Sequence, residues 1–129
     1  MSNLCVAGET QAPPRVVVVG LASCFGCQLQ ITNAEAHLLE VLGQIDMRYW
    51  QLTSSESMPD KFDVAVIEGA VTTREGMETV QRVREKAAKV IAIGSCATTA
   101  GIPGMAQPDF ESRITEVYEG APSACGEMV

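Results

Sequence analysis

The chain alternates between short, continuous apolar runs and longer amphipathic stretches. Apolar runs occupy 15–20 (RVVVVG), 62–69 (FDVAVIEG) and 89–96 (KVIAIGSC), and a partly alternating run occupies 45–52 (IDMRYWQL). Runs of this length, rich in valine and isoleucine, are typical of strands that are buried on both faces of a parallel sheet. The pattern therefore predicts four strands.

Two amphipathic stretches separate these strands and predict helices. The first covers 28–43 and ends at a glycine, and the second covers 72–88 and begins at Thr72 or Thr73. The predicted inner faces are Ile31, Ala34, Leu38, Val41 and Leu42 in the first helix, and Met77, Val80, Val83 and Ala87 in the second. A loop rich in glycine and proline follows the last strand, and a short helix is expected near 109–118.

Strands that alternate with helices in this order predict an α/β domain with a parallel sheet and helices on both faces. We expect this domain to cover 15–129, and 1–14, which ends in two prolines, to form a tail. Ligands of such sheets bind at the carboxyl ends of the strands. We therefore expect the functional side chains to lie where the strands end.

Composition and charge exclude several classes of function. Apolar residues make up 47% of the 129 residues and charged residues 19%, which is the balance of a globular chain. The net charge is −7 and no basic stripe is present, so a nucleic-acid partner is not expected. No apolar run approaches the roughly 18–20 residues of a membrane span. The N-terminus has no secretory or twin-arginine signal, which predicts a cytoplasmic protein with reduced thiols.

Cysteines lie where the predicted strands end. Cys24 and Cys27 follow the first strand, Cys96 follows the fourth, and Glu68 closes the third. Because parallel strands end at the same edge of a sheet, these side chains are expected to converge. In a reducing compartment, a Cys-x-x-Cys pair with a third cysteine indicates metal binding or redox chemistry rather than a disulfide.

The residues leave several kinds of site open. Thiolates at this spacing bind an iron–sulfur cluster or a zinc ion. A thioredoxin-like dithiol would leave Cys96 unexplained, and small buried core cysteines are the remaining alternative. Gly20, Gly26 and Gly94 favour a cluster because glycine lets the backbone approach the sulfurs. Gly26, Gly94 and Ser95 are the candidate positions for such backbone contacts.

Three segments in order, SCFGCQLQITNAEAHLL, VAVIEGAV and IAIGSCATTAGIPGM, resemble the small subunit of nickel–iron hydrogenases. The likeness is to the cytoplasmic types that couple hydrogen to NAD, F420 or heterodisulfide partners, and it covers roughly 15–106. A more distant resemblance runs to the 20-kilodalton-type cluster subunit of complex I. The resemblance implies a flavodoxin-like, three-layer domain that holds the [4Fe–4S] cluster proximal to the nickel–iron centre of a separate large subunit.

By position, the resemblance makes Cys24, Cys27 and Cys96 three of the four cluster ligands. Glu68 matches a family carboxylate that lies close to the cluster. We expect it either to transfer protons or to accept hydrogen bonds from local backbone N–H groups. The family's fourth ligand lies in a Gly-Cys-Pro motif that this chain lacks. Cys125 is the thiol left on that side, and a missing C-terminal part or a partner chain is the alternative source.

The resemblance further implies electron transfer without bond chemistry in this chain. Electrons would pass between the large subunit and further flavin or iron–sulfur subunits. The helix after Cys27, the loops carrying Glu68 and Cys96, and the apolar segment 101–106 are expected to face the large subunit. FMN in the strand-end crevice is a weaker expectation. The other functions left open are a complex I-like donor to quinone and a vestigial flavodoxin-like module that binds zinc or flavin. Cys5 has no assigned role.

Overall fold

The computed structural model describes residues 12–105 and 110–117. Cys5, Cys125 and most of the predicted tail lie outside them. The sheet consists of β1 (Arg15–Gly20), β2 (Asp46–Trp50), β3 (Phe62–Glu68) and β4 (Ala87–Ile93), in the order β2-β1-β3-β4. All three pairings are parallel, which confirms the predicted α/β, flavodoxin-like fold.

The helices of the described residues are α1 (Gly26–Thr32), α2 (Leu38–Leu42), α3 (Arg74–Lys86), α4 (Gly94–Thr99) and α5 (Phe110–Val117), with a 3₁₀ turn at Pro103–Met105. The predicted start of α3 is confirmed, because the hydroxyl of Thr73 accepts a hydrogen bond from the N–H of Gly76 at 3.1 Å. No helix within these residues is long and apolar enough to cross a bilayer.

The core lies between the sheet and α3. Its buried members are Val17, Val19, Phe62, Ala65, Ile67, Val83 and Ala87. Val83 is the buried residue of α3 and is 0% exposed. Valines 16–19 are all at most 8% exposed, so β1 is buried on both faces, as its unbroken apolar run predicts.

The predicted helix over 28–43 is wrong in its middle, because turns over 33–37 separate α1 from α2. Glu35 has a φ of 25°, which no continuous helix allows. The predicted inner face is not buried: Ala34 is exposed and Val41 is 51% exposed. The buried residue of α1 is instead the polar Gln28.

The boundary between α3 and β4 also differs from the prediction. The helix ends at Lys86 and the strand begins at the next residue, so Ala87 contributes to the core from the strand. The strand then ends at Ile93, earlier than predicted. The chain continues directly into α4, which places Cys96 in a helix rather than at the end of a strand or in a loop.

Candidate metal centre

The register of the sheet aligns the ends of β1, β3 and β4 at one edge. Gly20 at the end of β1 lies opposite Glu68 at the end of β3, and Glu68 lies opposite Ile93 at the end of β4. Segments that leave these strands therefore start side by side. This alignment brings together the cysteine segments that lie far apart along the chain.

A short loop carries the first two cysteines away from β1. Its backbone is fixed to the segment after β3, because Ala22 and Ala70 exchange backbone hydrogen bonds of 3.2 and 3.0 Å. The loop enters α1 through Phe25, whose φ of 61° turns the chain sharply. Cys24 is exposed just before this turn, and Cys27, the second residue of α1, is partly buried.

The start of α4 lies directly against Cys27. Gly94 opens this helix with a φ of +77°, and a Cβ at this position would stand closer than 3.0 Å to the Cys27 sulfur. Only glycine therefore fits. Cys96 follows two residues later and is partly buried, so the three predicted thiols belong to adjoining helix starts, α1 and α4.

Glu68 lies beneath the cysteine loop and is 1% exposed. Its Oε1 accepts a hydrogen bond from the backbone N–H of Cys27 at 3.3 Å, and its Oε2 accepts one from the side-chain amide of Gln28 at 2.6 Å. The sequence left open that Glu68 simply accepts hydrogen bonds from nearby backbone N–H groups. The structure shows one such bond, from the N–H of Cys27, which is itself a candidate ligand.

Gln28 and Trp50 are parts of this site that the sequence analysis missed. Gln28 is 0% exposed, and its Oε1 accepts a 2.8 Å hydrogen bond from the indole N–H of Trp50, which is 4% exposed. The only signal in the sequence is weak. A glutamine directly follows a Cys-x-x-Cys motif, and the sole tryptophan ends the strand beside β1.

The electrostatics of the site confirm that these groups lie near one another. Burial raises the pKa of the Cys27 thiol, and the negative charges of Glu68, Cys24 and Cys96 raise it further. A redox-active thiol usually has a lowered pKa, and the direction at Cys27 is the opposite. A metal bound here would have to displace the proton of this thiol, since only the thiolate is a ligand.

A zinc ion and an iron–sulfur cluster differ in how close together they need their thiolates. In the two described ranges, no three Cys, His, Asp or Glu side chains come close enough to hold one metal ion. A zinc ion needs all its thiolates about 2.3 Å from one centre. In an iron–sulfur cluster, each thiolate binds a different iron, so the sulfurs stand farther apart. Three cysteine thiols are donors that either kind of site uses, so cluster and zinc both stay predictions.

A cavity of about 580 Å³ lies beside the end of β1 and the loop that follows it. Tyr49, Met58, Thr72 and Arg82 are among its lining residues. Its volume is within the range of small-molecule sites, about 300–1,000 Å³. None of its contacts identifies a flavin, and FMN binding stays a prediction.

The chain is similar to proteins of known families. A family model described as NADH ubiquinone oxidoreductase, 20 Kd subunit, matches residues 24–124. The delta subunit of the NAD-reducing hydrogenase HoxS of Cupriavidus necator is 27% identical over 120 residues, covering 92% of this chain and 57% of that protein. A subunit of the F420-non-reducing hydrogenase of Methanothermobacter marburgensis is 34% identical over 108 residues, covering 81% of this chain and 35% of that protein.

A further relative is the iron-sulfur subunit of an F420-non-reducing hydrogenase from Archaeoglobus profundus, which is 30% identical over 112 residues. Among solved structures, a chain of an NAD⁺-reducing [NiFe]-hydrogenase in the H₂-reduced state matches with a TM-score of 0.70 and 28% identity. The match covers 81% of this chain and 59% of that one. This chain thus spans between about a third and three fifths of the length of these relatives.

Proposed function

The chain belongs to the family of the 20 kDa subunit of NADH–ubiquinone oxidoreductase, and on this basis we propose that it is the electron-transfer subunit of a nickel–iron hydrogenase. The observation that carries the proposal is the single sheet edge that gathers the thiols of Cys24, Cys27 and Cys96 around the buried Glu68. The hydrogenase relatives from bacteria and archaea support the choice of complex.

In this proposal the three cysteines hold a [4Fe–4S] cluster, and Cys125 or a thiol of another chain supplies the fourth ligand. Bound to these thiols, such a cluster would supply single-electron transfer, either from the oxidation of H₂ or toward the reduction of protons. The residues of this chain would bind the group and hold it at the edge of the sheet. Glu68, in hydrogen-bond contact with the Cys27 backbone, is the candidate for proton transfer beside it.

The surface beside the site supports a large-subunit partner that contains the nickel–iron centre. Ile102 and Met105, in the segment after α4, are 81% and 71% exposed, and Leu29 of α1 is 48% exposed. Large apolar side chains that are exposed next to a candidate redox site are typical of an interface. We propose that this face places the cluster beside the large subunit. Flavin or iron–sulfur subunits then pass the electrons on.

Metal and sulfide analysis of the chain tests this function directly. The chain, purified without oxygen together with whatever binds it, is expected to contain about four irons with matching acid-labile sulfide, because a [4Fe–4S] cluster has that composition. Reduction should give an EPR signal at low temperature, and nickel should accompany the large partner.

Serine substitutions identify the ligands in the same preparation. Cys96→Ser is expected to lose most of its iron, whereas Cys5→Ser, the same chemical change outside the motif, should retain it. Cys125→Ser tells whether the fourth thiolate comes from this chain. Iron content that is unchanged by serine at all of Cys24, Cys27 and Cys96 contradicts the proposal.

The description of the matched family favours one second candidate, a cluster subunit that donates electrons to quinone. Against it, the relatives described above are named as subunits of hydrogenases. The co-purified partner decides between the two. A large subunit with nickel supports the hydrogenase, and a nickel-free partner that reduces quinone supports the second candidate.

A further inference from the structure

A continuous chain of buried hydrogen bonds runs from β2 to the cysteine loop. The indole Nε1 of Trp50 donates to Gln28 Oε1 at 2.8 Å, and Gln28 Nε2 donates to Glu68 Oε2 at 2.6 Å. The backbone N–H of Cys27 donates to the other oxygen of Glu68 at 3.3 Å. In the part of the chain that the structure describes, no buried side-chain nitrogen or oxygen lacks a partner.

The direction of this chain is fixed at its first member. An indole N–H can donate but cannot accept, so the atom of Gln28 that faces Trp50 must be the amide oxygen. The amide nitrogen of Gln28 then faces Glu68 and must donate to it. Both oxygens of Glu68 therefore accept hydrogen bonds from N–H groups, the arrangement that suits a carboxylate.

Packing leaves the Gln28 amide no other position. A Cβ at Gly20 would stand 2.9 Å from Gln28 Nε2 and 2.5 Å from Cε1 of the Phe25 ring, so the amide fills the space that glycine leaves over the end of β1. Gln28 is fully buried, and no water can replace either of its partners without a cavity opening. The amide is thus held from both ends.

We propose that Gln28 is a positioning residue, whose amide, oriented by Trp50, holds the Glu68 carboxylate against the N–H of Cys27 and so fixes a negative charge beside the cysteine site. A negative charge held next to a redox group disfavours the addition of an electron. The effect on a cluster rests on the function proposed above. The positioning itself rests only on the residues of this chain.

The positioning is tested without metal by NMR of the complete reduced chain. Trp50 is the sole tryptophan, so its indole N–H gives one identifiable signal. Gln28→Met is expected to speed the hydrogen exchange of this N–H by about tenfold or more, because its acceptor is lost. Gln30→Met is the matched control: the same change in the same helix, at an exposed position.

A second variant follows the effect to the far end of the hydrogen-bond chain. Trp50→Phe keeps an aromatic ring but removes the donor, and it is expected to alter the hydrogen exchange of the Cys27 backbone N–H, which Trp50 reaches only through Gln28 and Glu68. In the Gln28→Met background, Trp50→Phe should add nothing. An unchanged indole N–H in Gln28→Met, or an unchanged Cys27 N–H in Trp50→Phe, overturns the proposal.

The consequence for the cluster is measured as its midpoint potential in the assembled complex. Glu68→Gln is expected to raise the ratio of reduced to oxidised cluster at a fixed potential by about tenfold, which is about 59 mV for a one-electron couple. Gln28→Met should shift the potential in the same direction, and the double variant should shift it no further than Glu68→Gln alone. Gln30→Met should leave it unchanged.

Additive shifts, or a shift in Gln28→Met without one in Glu68→Gln, would show that Gln28 does not act through Glu68. The two proposals fail separately. A chain that binds no iron but shows the expected NMR changes refutes the cluster and keeps the positioning role. A chain that binds iron, but whose variants show the same amide and indole hydrogen exchange as the parent, keeps the cluster and refutes the positioning role.

Discussion

Gly94→Ala tests the contact that joins the two cysteine-bearing helices. The φ of +77° at this position costs a residue with a Cβ about 1–2 kcal/mol. The new methyl group would also stand closer than 3.0 Å to the Cys27 sulfur, and carbon–sulfur contact needs roughly 3.5–4.0 Å. The sulfur must therefore withdraw, which in the metal-free chain adds about 0.5–1.5 kcal/mol for an off-rotamer side chain. Together these give an expected destabilisation of about 1.5–3.5 kcal/mol.

Two measurements separate the parts of this prediction. Urea unfolding of the metal-free chain gives the loss of folding free energy. Iron content after reconstitution without oxygen gives the effect on the site, which should be the larger one because a sulfur bound to iron cannot withdraw. Gly43→Ala is the control, since Gly43 has an ordinary φ of −70° and no cysteine near its Cβ. It should retain its iron and change stability by less than about 1 kcal/mol.

A Gly94→Ala chain that unfolds like the parent and loads the same amount of iron would refute this reasoning. It would mean that α4 does not press against Cys27, and the placement of Cys96 beside Cys27 would then lose its main support. A chain that is destabilised yet loads iron normally would show that only the backbone angle, and not the contact with sulfur, matters at this position.

Three further outcomes are expected. The Arg15 side chain and backbone N–H lower the pKa of Asp63 to about 2. This pair therefore stabilises the fold above about pH 4 and loses its effect as the pH falls toward 2. In Asp63→Asn, the free energy of unfolding in urea should fall less steeply over that range, and an unchanged slope would count against the pair. Because burial raises the pKa of Cys27, iodoacetamide at pH 8 should label the exposed Cys24 several-fold faster than Cys27 in the metal-free chain. Peptide mass spectrometry measures both rates, and equal rates would contradict this expectation. Val83→Ala should cost about 2 kcal/mol in urea unfolding, and a loss below about 0.5 kcal/mol would mean that the core is not packed as described.

The sheet and the gathering of the cysteines were predictable because both depend on strong local signals. A strand such as 15–20, buried on both faces, needs an unbroken apolar run, and such runs are rare elsewhere in the chain. Once the strands are known to be parallel, the residues that follow them must share an edge. That Cys24, Cys27 and Glu68 lie near this edge followed from topology, whereas the helix α4 that carries Cys96 did not.

The first helix was mispredicted because its apolar spacing is a matter of chance. Asn33 and the residues after it form turns, and beyond them Leu39 and Val41 are exposed whereas Leu38 and Leu42 are half-buried. The segment GSCATT, by contrast, has Ala97 as its one strong helix former, beside a glycine and two threonines, yet α4 forms there. Its helix is set by the tertiary contact of Gly94 with Cys27, which no local pattern encodes.

Gln28 was missed for a different reason. Glutamine is seldom buried, so its burial is predictable only when its partners are known. One partner lies 40 residues away along the chain and the other 22, and neither distance leaves a trace in periodicity. Buried polar groups of this kind become visible only when the hydrogen bonds are counted in three dimensions.

The order of the elements also has a consequence for the chain during its synthesis. Cys27 precedes β2, β3 and β4, and Cys96 follows all three strands at a distance of 69 positions. At about 5–20 residues per second, a ribosome needs roughly 3–14 s to make that interval. Throughout it the nascent chain carries a bare pair of thiols with no third ligand and no finished sheet beneath them. If these cysteines hold the proposed cluster, its insertion has to wait until translation has passed α4, with the dithiol kept reduced until then.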